Sequence, residues 1–444
     1  METRHCAVTQ AEPKNVLPSM LLRLKPVLLL LGSNAFATLA LALGTFLAAR
    51  IATAAEFGKY SLAAQIAVSV YPLLTLRYEH ALPLLGKRRN SGLLLTGCLL
   101  LLLITTLLLF TLGLIGISVP AISAYIPNDV TELFPLVALG AFALALSSIF
   151  QSAALANGTL TRLATARVLR AVAMVAMQIG LALSLGASAT WLLIGEVSAN
   201  LVHAVILASA FGLGGVFLTV RRPRPHMWRR LLVLVKRYKE FPLITLPHAF
   251  AHSALGLIFA STLGSVYGAA ALGQYYLMRK LVFGVLAIFN MAIYQHAVAE
   301  AARVPQSGLF GVALRALTLM GSVAVISAGV IALIGPDLFK LAVGDKWVEA
   351  ALMAVAAISL IILEPVTSTM AFLPVFLRTQ HIAFAVAIVQ GCVGIIVIGT
   401  AGWLGWDVIN AIVASSLAVS VVMLSYVVWL LVRAKKAKES GQDK

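Results

Sequence analysis

The feature that most restricts this chain is a succession of apolar runs, separated by short polar stretches. They fall at 26–49, 60–85, 91–119, 133–156, 163–186, 190–219, 241–265, 273–299, 309–335, 347–373, 377–402 and 405–432. About 20 predominantly apolar residues cross the hydrocarbon core as a helix, because a helix satisfies its own backbone N–H and C=O groups where water is absent. The pattern therefore predicts an all-α integral membrane protein of about twelve transmembrane helices. The second and eighth are the weakest of these, since charges lie near their ends. Twelve helices use up most of the 444 residues, and no sizeable soluble domain fits. A globular catalytic head is excluded on that ground. At 61% hydrophobic and 11% charged residues, the chain is also too apolar to stay disordered or to present a water-soluble surface.

Lys+Arg 33 against Asp+Glu 16 give a formal charge of +17. In a soluble protein such a charge points to nucleic acid. Here the basic residues stand at the ends of apolar runs, where insertion topology and anionic lipids of the inner leaflet account for them, so no nucleic-acid partner is expected. With the N-terminus inside, alternate loops gather Arg4, Lys14, Arg23 and Lys25, then Arg77, Lys87, Arg88 and Arg89, then Arg162, Arg167 and Arg170. The same side holds eight more between 221 and 239, then Arg303, Arg315, Arg378 and the cations from Arg433 to Lys444. The opposite side holds only Arg50, Lys59, Arg279, Lys280, Lys340 and Lys346. This asymmetry predicts that both termini are cytoplasmic. Residues 1–25 carry scattered charges and no short apolar core, so the first run reads as a retained helix, not a cleaved signal. Three cysteines, with Cys98 and Cys392 inside apolar runs, form neither a disulfide framework nor a C-x-x-C metal site.

An internal repeat organises the runs. Asn34-Ala35-Phe36 aligns with His248-Ala249-Phe250, Phe57-Gly58-Lys59-Tyr60 with Leu272-Gly273-Gln274-Tyr275, and Tyr78-Glu79-His80-Ala81 with Tyr294-Gln295-His296-Ala297. The offsets are 214, 215 and 216, at equivalent places in two helical hairpins. The chain divides accordingly into a cytoplasmic N-terminal segment (1–25), a six-helix lobe (26–219), a basic cytoplasmic linker (220–240), a second six-helix lobe (241–434) and a cytoplasmic tail (435–444). Six is even, so both lobes enter the membrane the same way and an axis along the membrane normal should relate them. In the linker, Trp228, Leu231, Leu232, Val235 and Tyr238 can face lipid while Arg230, Lys236, Arg237 and Lys239 face head groups. The same residues serve equally as a plain topology anchor.

The first hairpin, with Ala49-Arg50, Glu56-Phe57-Gly58-Lys59-Tyr60 and Leu76-Arg77-Tyr78-Glu79, resembles the bacterial polysaccharide flippases, of the type that serves O-antigen. These belong to the multidrug/oligosaccharidyl-lipid/polysaccharide (MOP) exporter superfamily. Phe241-Pro242, Leu246-Pro247, Gly273-Gln274-Tyr275 and Arg279-Lys280 resemble the family's second such hairpin. Length, helix number and repeat agree over roughly 26–434. One departure is that the eighth helix has Val285 to Ile288 where a mid-helix proline is expected. The resemblance implies a transporter of the bacterial inner membrane, not an enzyme, with no cofactor. Its cargo would be an undecaprenyl-diphosphate-linked oligosaccharide moved from the cytoplasmic to the periplasmic leaflet by alternating access, driven by an ion gradient. It also implies a cationic cavity between the lobes and an association with polysaccharide polymerase machinery.

An anionic head group cannot cross hydrocarbon unaided, so cations facing an aqueous cavity are required. Arg279 and Lys280 lie about two turns into the eighth helix, and adjacent positions point roughly 100° apart, so at least one can face the cleft. Arg50 ends the first helix and Arg77 the second; all four can instead snorkel to head groups. Among acids, Glu196 forms one stripe with Asn200 and His203 at i, i+4 and i+7, which faces a neighbour or a cavity and not lipid. Glu364 precedes Pro365, where a carbonyl is left unpaired. Either carboxylate can couple transport to a proton or sodium gradient, or can make a structural hydrogen bond. His248 and His252 share a helix face beside Pro242 and Pro247; with no third ligand nearby in sequence, a titratable or interhelical role fits better than metal. Glu79 and His80, next to Arg77, are gate candidates that a local ion pair also explains.

Two other functions compete. A drug or cation exporter of the same superfamily calls for an acidic or aromatic cavity in place of Arg279 and Lys280. A membrane-embedded sugar polymerase or ligase needs a large outer loop, whereas those expected at 120–132 and 336–346 are short. No P-loop, Ser/His/Asp arrangement or metal motif occurs in the sequence.

Overall fold

The computed structural model describes residues 16–85, 89–118, 128–209 and 225–442. Arg4, Lys14, Lys87, Arg88, Arg221, Arg222, Arg224, Lys444 and most of the 120–132 loop lie outside them. The N-lobe comprises α1 (Val16–Ile51), α2 (Ala54–Thr75), α3 (Arg89–Ser118), α4 (Asn128–Asn157), α5 (Leu160–Leu185) and α6 (Ala189–Ala208). The connecting helix is α7 (Pro225–Arg237). The C-lobe comprises α8 (Leu246–Met278), α9 (Gly284–Ala301), α10 (Leu309–Val343), α11 (Val348–Ala356), α12 (Ile358–Thr369), α13 (Gln380–Trp403) and α14 (Val408–Gln442).

Among the described residues ten stretches are long and apolar enough to cross a membrane. One of them, Phe241–Ala301, is 61 residues long and crosses twice, because α8 breaks at Gly268. There φ is 88° and ψ 163°, a conformation that a Cβ disfavours, and the chain folds back into limbs 246–267 and 269–278. The helix α2, interrupted by Glu56 and Lys59, supplies the twelfth crossing. α11 and α12 together make one span, parted at Ala357.

The two lobes share one neighbour order. In the N-lobe, α1 packs on α5, α5 on α6, α6 on α4 and α4 on α2. In the C-lobe, the first limb of α8 packs on α13, α13 on α14, α14 on α12 and α12 on α9. That is the same sequence of contacts, one repeat later. The lobes meet along α2 and the second limb of α8, at a reciprocal contact. A Cβ on Gly58 would stand 1.8 Å from the Ala269 carbonyl oxygen, and one on Gly273 would stand 1.9 Å from that of Ala54. Ala54 and Gly58 are the repeat partners of Ala269 and Gly273, so each hairpin leans on the other through equivalent atoms. Small residues permit this approach, since lipid tails offer no hydrophobic drive and close packing holds the helices together. On α2, Ala63, Ala64 and Ala67 are buried for the same reason.

Several boundaries differ from those read in the sequence. α1 begins at Val16 rather than 26, and α14 runs to Gln442, so the expected N-terminal segment and tail are partly helical extensions of spans. α2 stops at Thr75, ten residues early, because Leu76 and Arg77 take left-handed conformations with φ 49° and 62°. α10 continues through Pro336 to Val343, so most of the loop expected at 336–346 is helix. The eighth span has no mid-helix proline, and its residues Arg279–Phe283 form a π turn, which widens the helix locally. α7 is seated against α3 through Leu231 at Gly97, with Leu234 buried and Trp228 and Leu232 exposed.

Candidate functional site

The π turn sets the site, because its two basic residues face opposite lobes. Arg279 points into the C-lobe. Its Nη1 and Nη2 donate to Oε2 and Oε1 of Glu364 at 2.6 and 2.8 Å, a bidentate pair in which each side chain keeps about a third of its surface. The guanidinium carbon lies 4.1 Å from the Phe283 ring centroid. Planar fork-to-carboxylate geometry makes this the strong form of ion pair. The pair borders a cavity of about 380 Å³ between the two limbs of α8 and helices α12, α13 and α14, with Ser61 and Gln65 of α2 at its edge. Phe259 and Tyr275, with ring centroids 5.4 Å apart, form one wall. His252 lines the cavity, while His248 sits 4.5 Å from the Phe384 ring on α13.

Lys280 points to the N-lobe. Its Nζ donates to the Tyr60 hydroxyl at 3.3 Å and lies 5.3 and 5.1 Å from the Tyr60 and Tyr276 ring centroids. Tyr60 in turn donates to Glu196 Oε2 at 2.5 Å, and Gln178 approaches the same hydroxyl at 3.5 Å. A continuous polar chain thus joins a C-lobe cation to an N-lobe acid. The stripe Glu196, Asn200 and His203 faces inward: Asn200 and His203 are buried, and His203 Nδ1 is 2.6 Å from Ser147 Oγ.

Two further cations belong to this interior and were read from sequence only as inner-surface charges. Arg167 and Arg170 stand about two and three turns inside α5. Arg167 Nη1 donates to Asn34 Oδ1 at 2.9 Å. Arg170 follows Arg167 three residues later on the same face of α5. The buried Arg170 Nε, Asn200 Oδ1 and His203 Nε2 have no hydrogen-bond partner among the described residues. Buried polar atoms are nearly always paired, so these three are hydrogen-bonding capacity that this conformation leaves unused. The signal was present in the sequence as Arg167, Arg170 and Gln178 on one helical face.

The other sequence candidates lie elsewhere. Arg50 donates from Nε and Nη2 to the carbonyls of Ala342 and Leu341 at 2.7 and 2.8 Å, closing the C-terminal end of α10. From the other lobe, Lys346 Nζ donates to the carbonyls of Arg50 and Ala52, both at 2.8 Å, and Trp347 Nε1 to that of Ala49. Burial in this contact pushes the Lys346 ammonium below its usual pKa. These bonds latch the two lobes at one end of the bundle. At the opposite end Arg77, Glu79 and His80 form a compact cluster. Arg77 Nη1 is 3.6 Å from the fully buried Glu79 carboxylate and 3.1 Å from His80 Nε2, while the His80 ring stacks on Phe241. Neither Arg50 nor Arg77 lines the cavity. No group of three metal-capable side chains occurs among the described residues.

No protein-family model matches the sequence, and no curated protein does. Solved structures do match. The chain is similar to the lipid II flippase MurJ in an inward closed conformation, with a TM-score of 0.67 at 10% identity over 91% of this chain and 89% of that one. It is similar to a multidrug resistance MATE family transporter in an inward-facing conformation, with a TM-score of 0.55 at 14% identity over 93% and 96%. A MOP superfamily transporter from Pyrococcus furiosus gives the same scores and coverage. At such identities the likeness establishes architecture, and the architecture of this chain is that of the MOP superfamily transporters.

Proposed function

We propose that the protein is a flippase for a lipid-linked oligosaccharide, carrying an undecaprenyl-diphosphate-linked sugar from the cytoplasmic to the periplasmic leaflet of the bacterial inner membrane by alternating access. The observation that carries this reading is the excess of cations in the N-lobe interior. Arg167 is held by Asn34, Lys280 donates to the Tyr60 hydroxyl that in turn donates to the one carboxylate, Glu196, and Arg170 keeps an unpartnered buried donor, all among the described residues. A diphosphate at the bilayer centre is costly unless cations compensate it, and these three are placed to do so. That MurJ is by name a lipid II flippase supports a lipid-linked cargo for this chain as well.

With both termini cytoplasmic, the Arg50–Lys346 latch closes the periplasmic end, and Arg77, Glu79 and His80 gate the cytoplasmic end. Anionic inner-leaflet lipids meet the basic linker around α7. Glu196 and Glu364 are the carboxylates assigned to coupling with the ion gradient, with His252, which lines the same cavity as Glu364, and His248 one turn before it as further candidates. Polysaccharide polymerase machinery would receive the product. The drug-exporter reading rests on the apolar and aromatic walls around Glu364, but Arg279 neutralises that acid.

The test is leaflet exchange of a fluorescent polyprenyl-diphosphate oligosaccharide in vesicles holding the full chain. Wild type flips it, and Arg170→Gln slows flipping about tenfold or more, the loss expected for one charge-assisted hydrogen bond. Export of cationic dyes without lipid exchange, or equal rates for both proteins, overturns the proposal. Unchanged rates with and without a proton or sodium gradient remove the coupling role.

A further inference from the structure

Resting on that reading, we infer that the C-lobe cavity is the subsite for the first sugar of the cargo, distinct from the N-lobe cations that take its diphosphate. The two chemistries are separated by one peptide bond. Lys280 reaches into the N-lobe and Arg279 into the C-lobe, and Tyr276, whose ring centroid lies 5.1 Å from Lys280 Nζ, also lines the C-lobe cavity, so a phosphate held at Lys280 stands one aromatic ring away from that cavity.

The C-lobe cavity is unsuited to the phosphate itself. Arg279 is matched oxygen for nitrogen by Glu364, and an anion would have to break that pair and strand the carboxylate. The cavity is equally unsuited to a cationic cargo, because Arg279 already neutralises the carboxylate. A hydrocarbon chain would leave polar groups facing it without partners. Gln390 lines the cavity and makes no hydrogen bond among the described residues. Gln65 has only a 3.4 Å bond to the Ser253 carbonyl. Ser415 and Ser416 donate to the carbonyls of Gly394 and Ala356 and keep lone pairs to accept.

A ring of donors and acceptors with no net charge, set against the Phe259 and Tyr275 rings, fits a neutral polyhydroxylated ring. Such a ring offers hydroxyls at its edge and C–H groups on its face. The cavity of about 380 Å³ falls at the small end of ligand pockets, which suits one or two sugar units and not a whole repeat or a polyprenyl tail.

The experiment compares binding of two probes to the purified full chain: polyprenyl diphosphate without sugar, and the same lipid bearing one hexose. Wild type is expected to bind the hexose-bearing lipid about tenfold or more tightly, the worth of one or two hydrogen bonds. Gln390→Met, which keeps the volume and removes the amide, should abolish that difference and leave the sugar-free lipid unaffected. Ser416→Ala is the second variant, with the same pattern expected. If the hexose adds no affinity, or if both variants weaken both lipids alike, the sugar subsite is wrong while the flippase reading stands. If neither lipid binds wild type, the flippase reading fails and takes the subsite with it.

Discussion

The N-lobe interior holds Arg167, bound to Asn34, and Arg170, with Lys280 reaching in from the other lobe to the Tyr60 hydroxyl that bonds Glu196, whereas the C-lobe cavity holds Arg279 locked face to face with Glu364. The backbone repeat is the same in both lobes, yet one interior is left with uncompensated positive charge and the other with none. The difference shows that pseudo-symmetry of packing does not impose symmetry of charge. Helix neighbours and glycine contacts are shared because they hold the bundle together. The polar side chains lie off the packing seams and are free to diverge.

The largest effect should come from opening the C-lobe pair. Arg279→Ala leaves Glu364 facing a low-dielectric cavity alone and is expected to lower unfolding stability in detergent by about 3 kcal/mol. Adding Glu364→Gln should restore most of it, and a silent single variant would show that the pair is not closed. Next, Arg170→Ala is expected to weaken binding of sugar-free polyprenyl diphosphate by roughly 10- to 100-fold, read by titration, because a charge-assisted hydrogen bond is lost. Little change there would erase the contrast between the lobes. Gly58→Ala and Gly273→Ala should each destabilise by about 1–3 kcal/mol through overpacking, and by similar amounts, since each Cβ meets the other hairpin's carbonyl. Unequal melting shifts would mean that the contact is not reciprocal in energy. The smallest effect is expected at the latch. Arg50→Ala removes about 1 kcal/mol of capping at the end of α10 and should raise the open population at that end by about fivefold, measured by distances between spin labels on the two lobes.

Much of the architecture was legible in the sequence. The apolar runs announced an all-helical membrane fold, and the alignment of Gly58 with Gly273 already paired the two residues that meet across the helix contact. The stripe of Glu196, Asn200 and His203 announced an inward face through its spacing alone. The rest is hidden from the sequence for physical reasons. Arg167 and Arg170 were counted with loop charges, because a topology rule sees distance from a helix end and not which face a residue occupies. The ion pair of Arg279 and Glu364, the capping of α10 by Arg50, and the cluster that keeps Arg77 out of the cavity depend on where distant helices cross. No local spacing records that.

The π turn at 279–283 carries one residue more than ordinary helix geometry would use. Deleting a single residue there would let the coil tighten and would swing every side chain beyond it by about 100°. A shortened chain would keep its hydrophobicity and its count of spans while turning the faces of α9 away from the neighbours they meet now. Register at this one coil thus decides which walls the rest of the span presents beyond its two basic residues.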